Sequence, residues 1–205
     1  MIEVPDWAEQ NVSRETLADL QQYADLLLKW NPKINLVSKS DAGDLWKRHI
    51  WDSVQVFEVS SPVSDWVDLG SGGGFPALVC AILAKRAQAK THFTLIESDA
   101  RKCAFLRTVA RTLSLDVTVF AERVEKIDPI GAEIVSARAL TALPDLLGYV
   151  ARHISPTGAA ILPKGENWEK EVDQALEIWN FQYQAIPSQT NPDAAILVIK
   201  DLARA

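Results

Sequence analysis

The sequence predicts an α/β fold in which a doubly wound, mainly parallel sheet follows an N-terminal helical extension. Three observations carry this reading. First, the run WVDL at 66–69 leads straight into the glycine cluster Gly70, Gly72, Gly73 and Gly74. Second, the β-rich runs WVDL, HFTLIE, VTVFAE, EIVSAR and AAILPK alternate with helical segments around Ala77, Arg101, Leu143 and Trp168, the rhythm of a parallel sheet covered on both faces. Third, FQYQAIPS and AAILVIKD follow each other with no helical pattern between them and predict an antiparallel pair.

From Ser13 to Asn31, Leu17, Leu20, Ala24, Leu27 and Leu28 return to one helical face, with Ser13 as N-cap and Pro32 helping to end the helix. A second helical segment, from about Asp41 to Val59, carries Leu45, Ile50, Val54 and Phe57, and SSPVSD then forms a linker. These signals divide the chain into an extension over 1–60 and a sheet domain over 61–205. ALVCAILAKRA, after the glycine loop, reads as a helix whose N-terminus points at the loop. No internal repeat or low-complexity segment interrupts the pattern.

At 205 residues the chain suits one catalytic domain with an extension. Its 21 basic and 27 acidic residues give a net charge of −6, so contact with nucleic acid has to come from a local patch. Cys80 and Cys103 lie in apparent helices without metal-ligand spacing and read as reduced core thiols. Three scattered histidines make no metal site. The start MIEVPDWAEQ lacks a basic and apolar leader pattern, and the apolar stretch from Pro76 to Ala84 is too short to span a bilayer, which predicts a soluble, cytoplasmic protein.

A strand running into a glycine loop is where a Rossmann-like sheet holds a nucleoside cofactor, because the backbone can approach the ligand closely there. Glycine spacing then separates the cofactor classes. Read from Gly70, G-x-G-x-x-G needs a small residue where Phe75 stands; read from Gly72, the pattern is met by Gly74 and Ala77 but begins four residues past Asp68. An acid such as Asp68 closing the first strand points instead to S-adenosylmethionine. Hydride transfer on a nicotinamide is disfavoured further because none of Tyr23, Tyr149 or Tyr183 has Lys four residues on.

Open α/β sheets bind ligands at the carboxyl ends of their strands. Glu97 closes the second strand at the distance from the loop where an acid accepts from both ribose hydroxyls; the alternative is a solvated strand-end acid. At the third strand end, Glu122, Arg123, Val124 and Glu125 are available to an adenine, or else cap a surface loop. The fourth strand ends in VSARAL, with no D/N-P-P-Y for an exocyclic amine and no nucleophilic cysteine for a pyrimidine carbon. Such an end suits a target that is already nucleophilic, such as a ring nitrogen, for which alignment alone supplies roughly 7–11 kcal/mol of the barrier.

Several residues have two readings. Arg138 is a cofactor or RNA contact, or a strand-end ion pair; Lys164 contacts phosphate or orients the base, or is solvated. No catalytic residue is firmly assigned, and these two are the candidates. His49 and Asp52, one helical turn apart, either orient each other or tie the extension to the domain. Lys29, Lys33, Lys39, Lys47 and Arg48, with Arg101, Lys102, Arg107 and Arg111, are phosphate contacts or solvated faces. Trp30, Trp46 and Trp51 stack on a flipped base or, as the simpler expectation, pack in the core.

KWNPKINLVS, RHIWDS, DLGSGGGFP, IESDARKCAFLR, AERVE, SARA and PKG occur in that order from Trp30 onward. In these segments the chain resembles the bacterial small-subunit ribosomal RNA guanine-N7 methyltransferases, the RsmG/GidB family. The resemblance implies a methyltransferase sheet, S-adenosylmethionine as cofactor, and methylation of one guanine of 16S ribosomal RNA in the small subunit or an assembly intermediate. It carries cofactor binding onto Gly70, Phe75, Val124, Glu125 and Arg138, beside the fold-derived Asp68, Gly72, Gly74 and Glu97. Ala77, where the family often has Gly, and Val37 or Ser71, where it often has Thr, are departures that leave the binding backbone in place. Two other readings remain open: a methyltransferase with a non-RNA acceptor, and a non-catalytic, cofactor-binding sensor of ribosome assembly.

Overall fold

The computed structural model describes residues 2–10, 12–38, 42–61 and 63–205. Strand β1 (Asp65–Leu69) is flanked by β2 (His92–Glu97) and β4 (Ala132–Ala137), both parallel to it. Beyond these lie β3 (Val117–Ala121) on one side and β5 (Ile154–Lys164) on the other, also parallel. The expected antiparallel pair forms from β6 (Trp179–Pro187) and β7 (Ala195–Arg204), and β7 joins β5. The order is β3-β2-β1-β4-β5-β7-β6, so the winding reverses at β1 and opens a crevice at the carboxyl ends of β1 and β4.

Both faces of the sheet are covered. Helix α1 (Arg14–Ile34) packs Leu20, Tyr23 and Leu27 with α3 (Ala77–Arg86) and α4 (Ala100–Thr112) in one core that contains Leu78, Phe105 and Leu106. On the other face, α5 (Leu143–His153) and α6 (Trp168–Leu176) bury Leu147, Val150 and Val172 against Leu162 and Leu197. The extension therefore shares its apolar interior with the sheet. Among the described residues, no helix is long and apolar enough to cross a membrane.

Local chemistry explains the helix ends. The Ser13 side chain accepts the Thr16 N–H at 3.2 Å, as an N-cap does. Pro32 does not end α1, which continues to Ile34: its missing N–H costs one bond within the last turn, and the stop comes at Asn35, left-handed with φ 53°. Leu28, expected on the buried face, is exposed because it lies about 100° around the helix from Leu27. The second helical segment is not uniform. A π-helical turn over Trp46–Trp51 precedes α2 (Asp52–Glu58), and its wider winding brings His49, Ile50 and Trp51 all inside. Its expected start at Asp41 lies outside the described residues, as does Lys39.

Candidate active site

The loop after β1 is shaped by two glycines. Gly70 has φ +66°, and a Cβ on it would come within 2.6 Å of Leu140 Cδ1; Gly74 has φ +97°, and a Cβ there would meet Leu78 Cδ1 at 2.4 Å. Hydrogen bonds hold the loop in place. The Ser71 N–H donates to the Ile96 carbonyl at 3.0 Å, the Gly72 N–H to Glu97 Oε2 at 2.9 Å, and the Tyr23 hydroxyl to the Gly73 carbonyl at 2.6 Å. Beneath the loop, Asp68 pairs across the sheet with Ser136, whose hydroxyl donates to Asp68 Oδ1 at 2.6 Å and accepts the Trp66 indole N–H at 2.8 Å. Burial raises the Asp68 carboxyl to about 7, against the opposing pull of Ser136 and Ser71 hydrogen bonds.

A cleft of about 600 Å³ runs along these strand ends. It brings together seven of the nine expected cofactor residues, Gly70, Gly72, Phe75, Glu97, Val124, Glu125 and Arg138; Asp68 and Gly74 do not line it and instead support the loop from behind. Glu97 accepts from the Asp99 N–H with Oε1 at 2.8 Å and from Gly72 with Oε2, which uses two of its four acceptor positions. Phe75 sits among two rings and one cation: Tyr23 at 5.4 Å, a stacked His49 at 4.9 Å, and the Arg138 guanidinium 5.2 Å from its centroid. Val124 begins a short 3-10 turn and is nearly buried in the cleft wall.

Arg138 also faces a second cavity of about 680 Å³. Its guanidinium bonds the His49 ring, Asp52 Oδ2 at 3.4 Å and the Arg48 carbonyl at 3.0 Å. His49 and Asp52 thus converge on Arg138 and tie the extension to the end of β4. Asp52 Oδ1 in turn accepts the Thr190 hydroxyl at 2.9 Å, drawing in the β6–β7 loop, a partner more than 130 residues away that no local pattern marks. Lys164 lines this second cavity, not the cleft, and its ammonium donates to Glu171 Oε2 at 2.7 Å and to the Thr141 carbonyl at 3.3 Å.

Of the expected phosphate contacts, Lys47 and Arg48 line the second cavity and Lys102 the cleft. Arg101 instead pairs with Asp99, and Arg107 donates to the Val119 carbonyl. Trp30 packs on Phe105, and Trp46 on Trp51; none of the three lines either cavity, so they behave as packing residues. Cys80 and Cys103 are free and buried, and burial holds both thiols above their usual titration range. No metal-ligating cluster occurs among the described residues.

The cleft fits a nucleoside cofactor by its donor set: a carboxylate with unused acceptor positions beside bare glycine backbone, and an apolar wall from Phe75 and Val124. The family model described as GidB, rRNA small subunit methyltransferase G, matches residues 16–195. The chain is 53% identical over 202 residues to the ribosomal RNA small subunit methyltransferase G of Ruegeria pomeroyi, covering 98% of each chain. The chain belongs to this family. It is 49% identical to the same-named protein of Cereibacter sphaeroides, covering 94% of this chain and 93% of the relative. As a GidB-family member it is an enzyme, an S-adenosylmethionine-dependent methyltransferase of small-subunit ribosomal RNA. Its fold is shared with an S-adenosylmethionine-dependent methyltransferase from Aquifex aeolicus (TM-score 0.58, 14% identity, 78% of this chain and 94% of that one). It is shared also with a T. thermophilus 16S rRNA methyltransferase in complex with AdoMet and guanosine (TM-score 0.55, 12% identity, 73% and 38%).

Proposed function

We propose that the chain methylates N7 of one guanine of 16S ribosomal RNA, in the small subunit or an assembly intermediate in the cytoplasm. The observation that supports it most is the fourth strand end, which opens onto both cavities and whose own residues offer neither a free nucleophile nor a general base. Ser136 is committed to Asp68 and Trp66, both cysteines are buried thiols, and Arg138 is a permanent cation. The cofactor supplies an electrophilic methyl group; guanine N7 brings its own lone pair and has no proton to lose. The residues of this chain then act by position and charge. Gly70 and Gly72 give the cofactor its backbone floor, Glu97 accepts from the ribose hydroxyls, and Val124 and Glu125 meet the adenine. Phe75 and Arg138 form the wall toward the acceptor, while Asp68 and Gly74 keep the loop in shape. Residues 1–60 serve the domain over 61–205 as a brace and as one wall of the acceptor cavity, through Lys47, Arg48 and His49.

This division of labour has a direct test. Glu97→Gln weakens cofactor binding by about tenfold to a hundredfold, the worth of one charged hydrogen bond. Lys164→Ala leaves cofactor affinity near wild type and lowers methyl transfer to small-subunit RNA by at least tenfold, on the order of one lost polar contact. Calorimetric titration and a transfer assay separate the two effects. Unchanged affinity in the first variant contradicts the placement of the ribose.

A further inference from the structure

The second cavity shares His49, Arg138, Ala139 and Leu140 with the cofactor cleft, so an acceptor seated there lies next to the methyl donor. Its wall carries the Lys164–Glu171 ion pair at 2.7 Å. Glu171 Oε2 also accepts the Leu143 N–H at 2.7 Å, while Oε1 makes no hydrogen bond among the described residues. Two Lys164 hydrogen bonds, to Glu171 and Thr141, leave one of its three donors unused. The pair, which lines the cavity, thus keeps one unused donor beside one unused acceptor.

We propose that this ion pair reads the Watson–Crick edge of the target guanine, with Lys164 donating to O6 and Glu171 Oε1 accepting from N1–H and the N2 amino group. The inference rests on the guanine reading above and names what selects the base. Guanine presents an acceptor at O6 followed by donors at N1 and N2; adenine presents a donor at N6 and an acceptor at N1, the reverse order. An ammonium only donates and an ionised carboxylate only accepts, so adenine meets both groups with the wrong polarity and leaves them unpaired. In this pose the imidazole side of the base, which carries N7, has to face the wall shared with the cofactor cleft. Glu171 also accepts from the first residue of α5, and a purely structural role would end there.

The two roles separate by substrate chemistry. The guanine that wild-type enzyme methylates is first mapped by mass spectrometry, and the same RNA is then prepared by ligation with inosine at that position. Inosine keeps O6, N1–H and N7 and lacks only the N2 amino group. For wild type, kcat/KM falls about tenfold to a hundredfold on the inosine substrate, the loss of one hydrogen bond to a charged acceptor. Glu171→Gln loses a similar factor on guanine, shows little further loss on inosine, and keeps cofactor affinity near wild type. Equal wild-type rates on the two substrates overturn the proposal without any variant, as does an inosine penalty that persists in Glu171→Gln. Failure of wild type to methylate guanine N7 at all overturns the proposed function instead, a distinguishable result.

Discussion

Asp68 shows how much a single residue of this site costs and what it returns. Its carboxyl is almost inaccessible, Oδ2 has no hydrogen bond, and burial pushes its pKa up to about 7. Because the folded value lies above the unfolded one, the folded state holds the proton longer, and stability falls as pH rises from about 4 to about 7. Asp68→Asn keeps an oxygen for the Ser136 hydroxyl and removes the buried charge. The variant is expected to be more stable than wild type at pH 8 by on the order of a few kcal/mol, with the difference vanishing below about pH 4. Urea unfolding across that range measures it, and a constant difference at all pH values contradicts the assignment. The places of the acid, the glycines and Glu97 were legible in the sequence because they are set locally: a strand end, a positive φ, a fixed distance to the next strand end. That Asp68 and Gly74 stay behind the cleft was not legible, since it depends on Ser136, Leu78 and Tyr23 arriving from other elements.

At the scale of elements, α1 braces the cofactor loop. Its Tyr23 hydroxyl, fully buried, donates to the Gly73 carbonyl across 50 residues of sequence, and its ring packs on Phe75. Tyr23→Phe keeps the packing and leaves that carbonyl unpaired, a loss of about 1–3 kcal/mol in unfolding free energy. A weaker affinity for the cofactor should accompany it, because the loop that carries Gly70 and Gly72 loses an anchor. Stability unchanged in this variant would contradict the role given to α1. The pattern of apolar residues identified α1, but not its bond to the loop or its passage beyond Pro32. The π-helical turn at Trp46–Trp51 was equally hidden. An added residue per turn leaves no compositional mark, yet it is what points His49 at Phe75 while Trp51 stays in the core.

Across the whole molecule, the sheet order places two cavities side by side at the carboxyl ends of the strands, with Arg138 between them. The parallel order with its antiparallel tail followed from alternation of strand and helix patterns, which is set by burial on both faces. The second cavity did not follow. It is assembled from the extension, the end of β4, α6 and the β6–β7 loop, and contacts such as Asp52 with Thr190 connect segments that share no sequence signal. Net charge gives no guide to a local cluster either: Lys47, Arg48 and Lys164 all line this one cavity of an acidic molecule. The central claim, methyl transfer to guanine N7 of small-subunit RNA, is tested most directly by incubating the protein with labelled S-adenosylmethionine and unmodified small ribosomal subunits, and separately with their deproteinised RNA. Nucleosides are then identified by mass spectrometry. Labelled N7-methylguanosine from at least one substrate is the expected result; label in any other nucleoside, or none despite measurable cofactor binding, contradicts it.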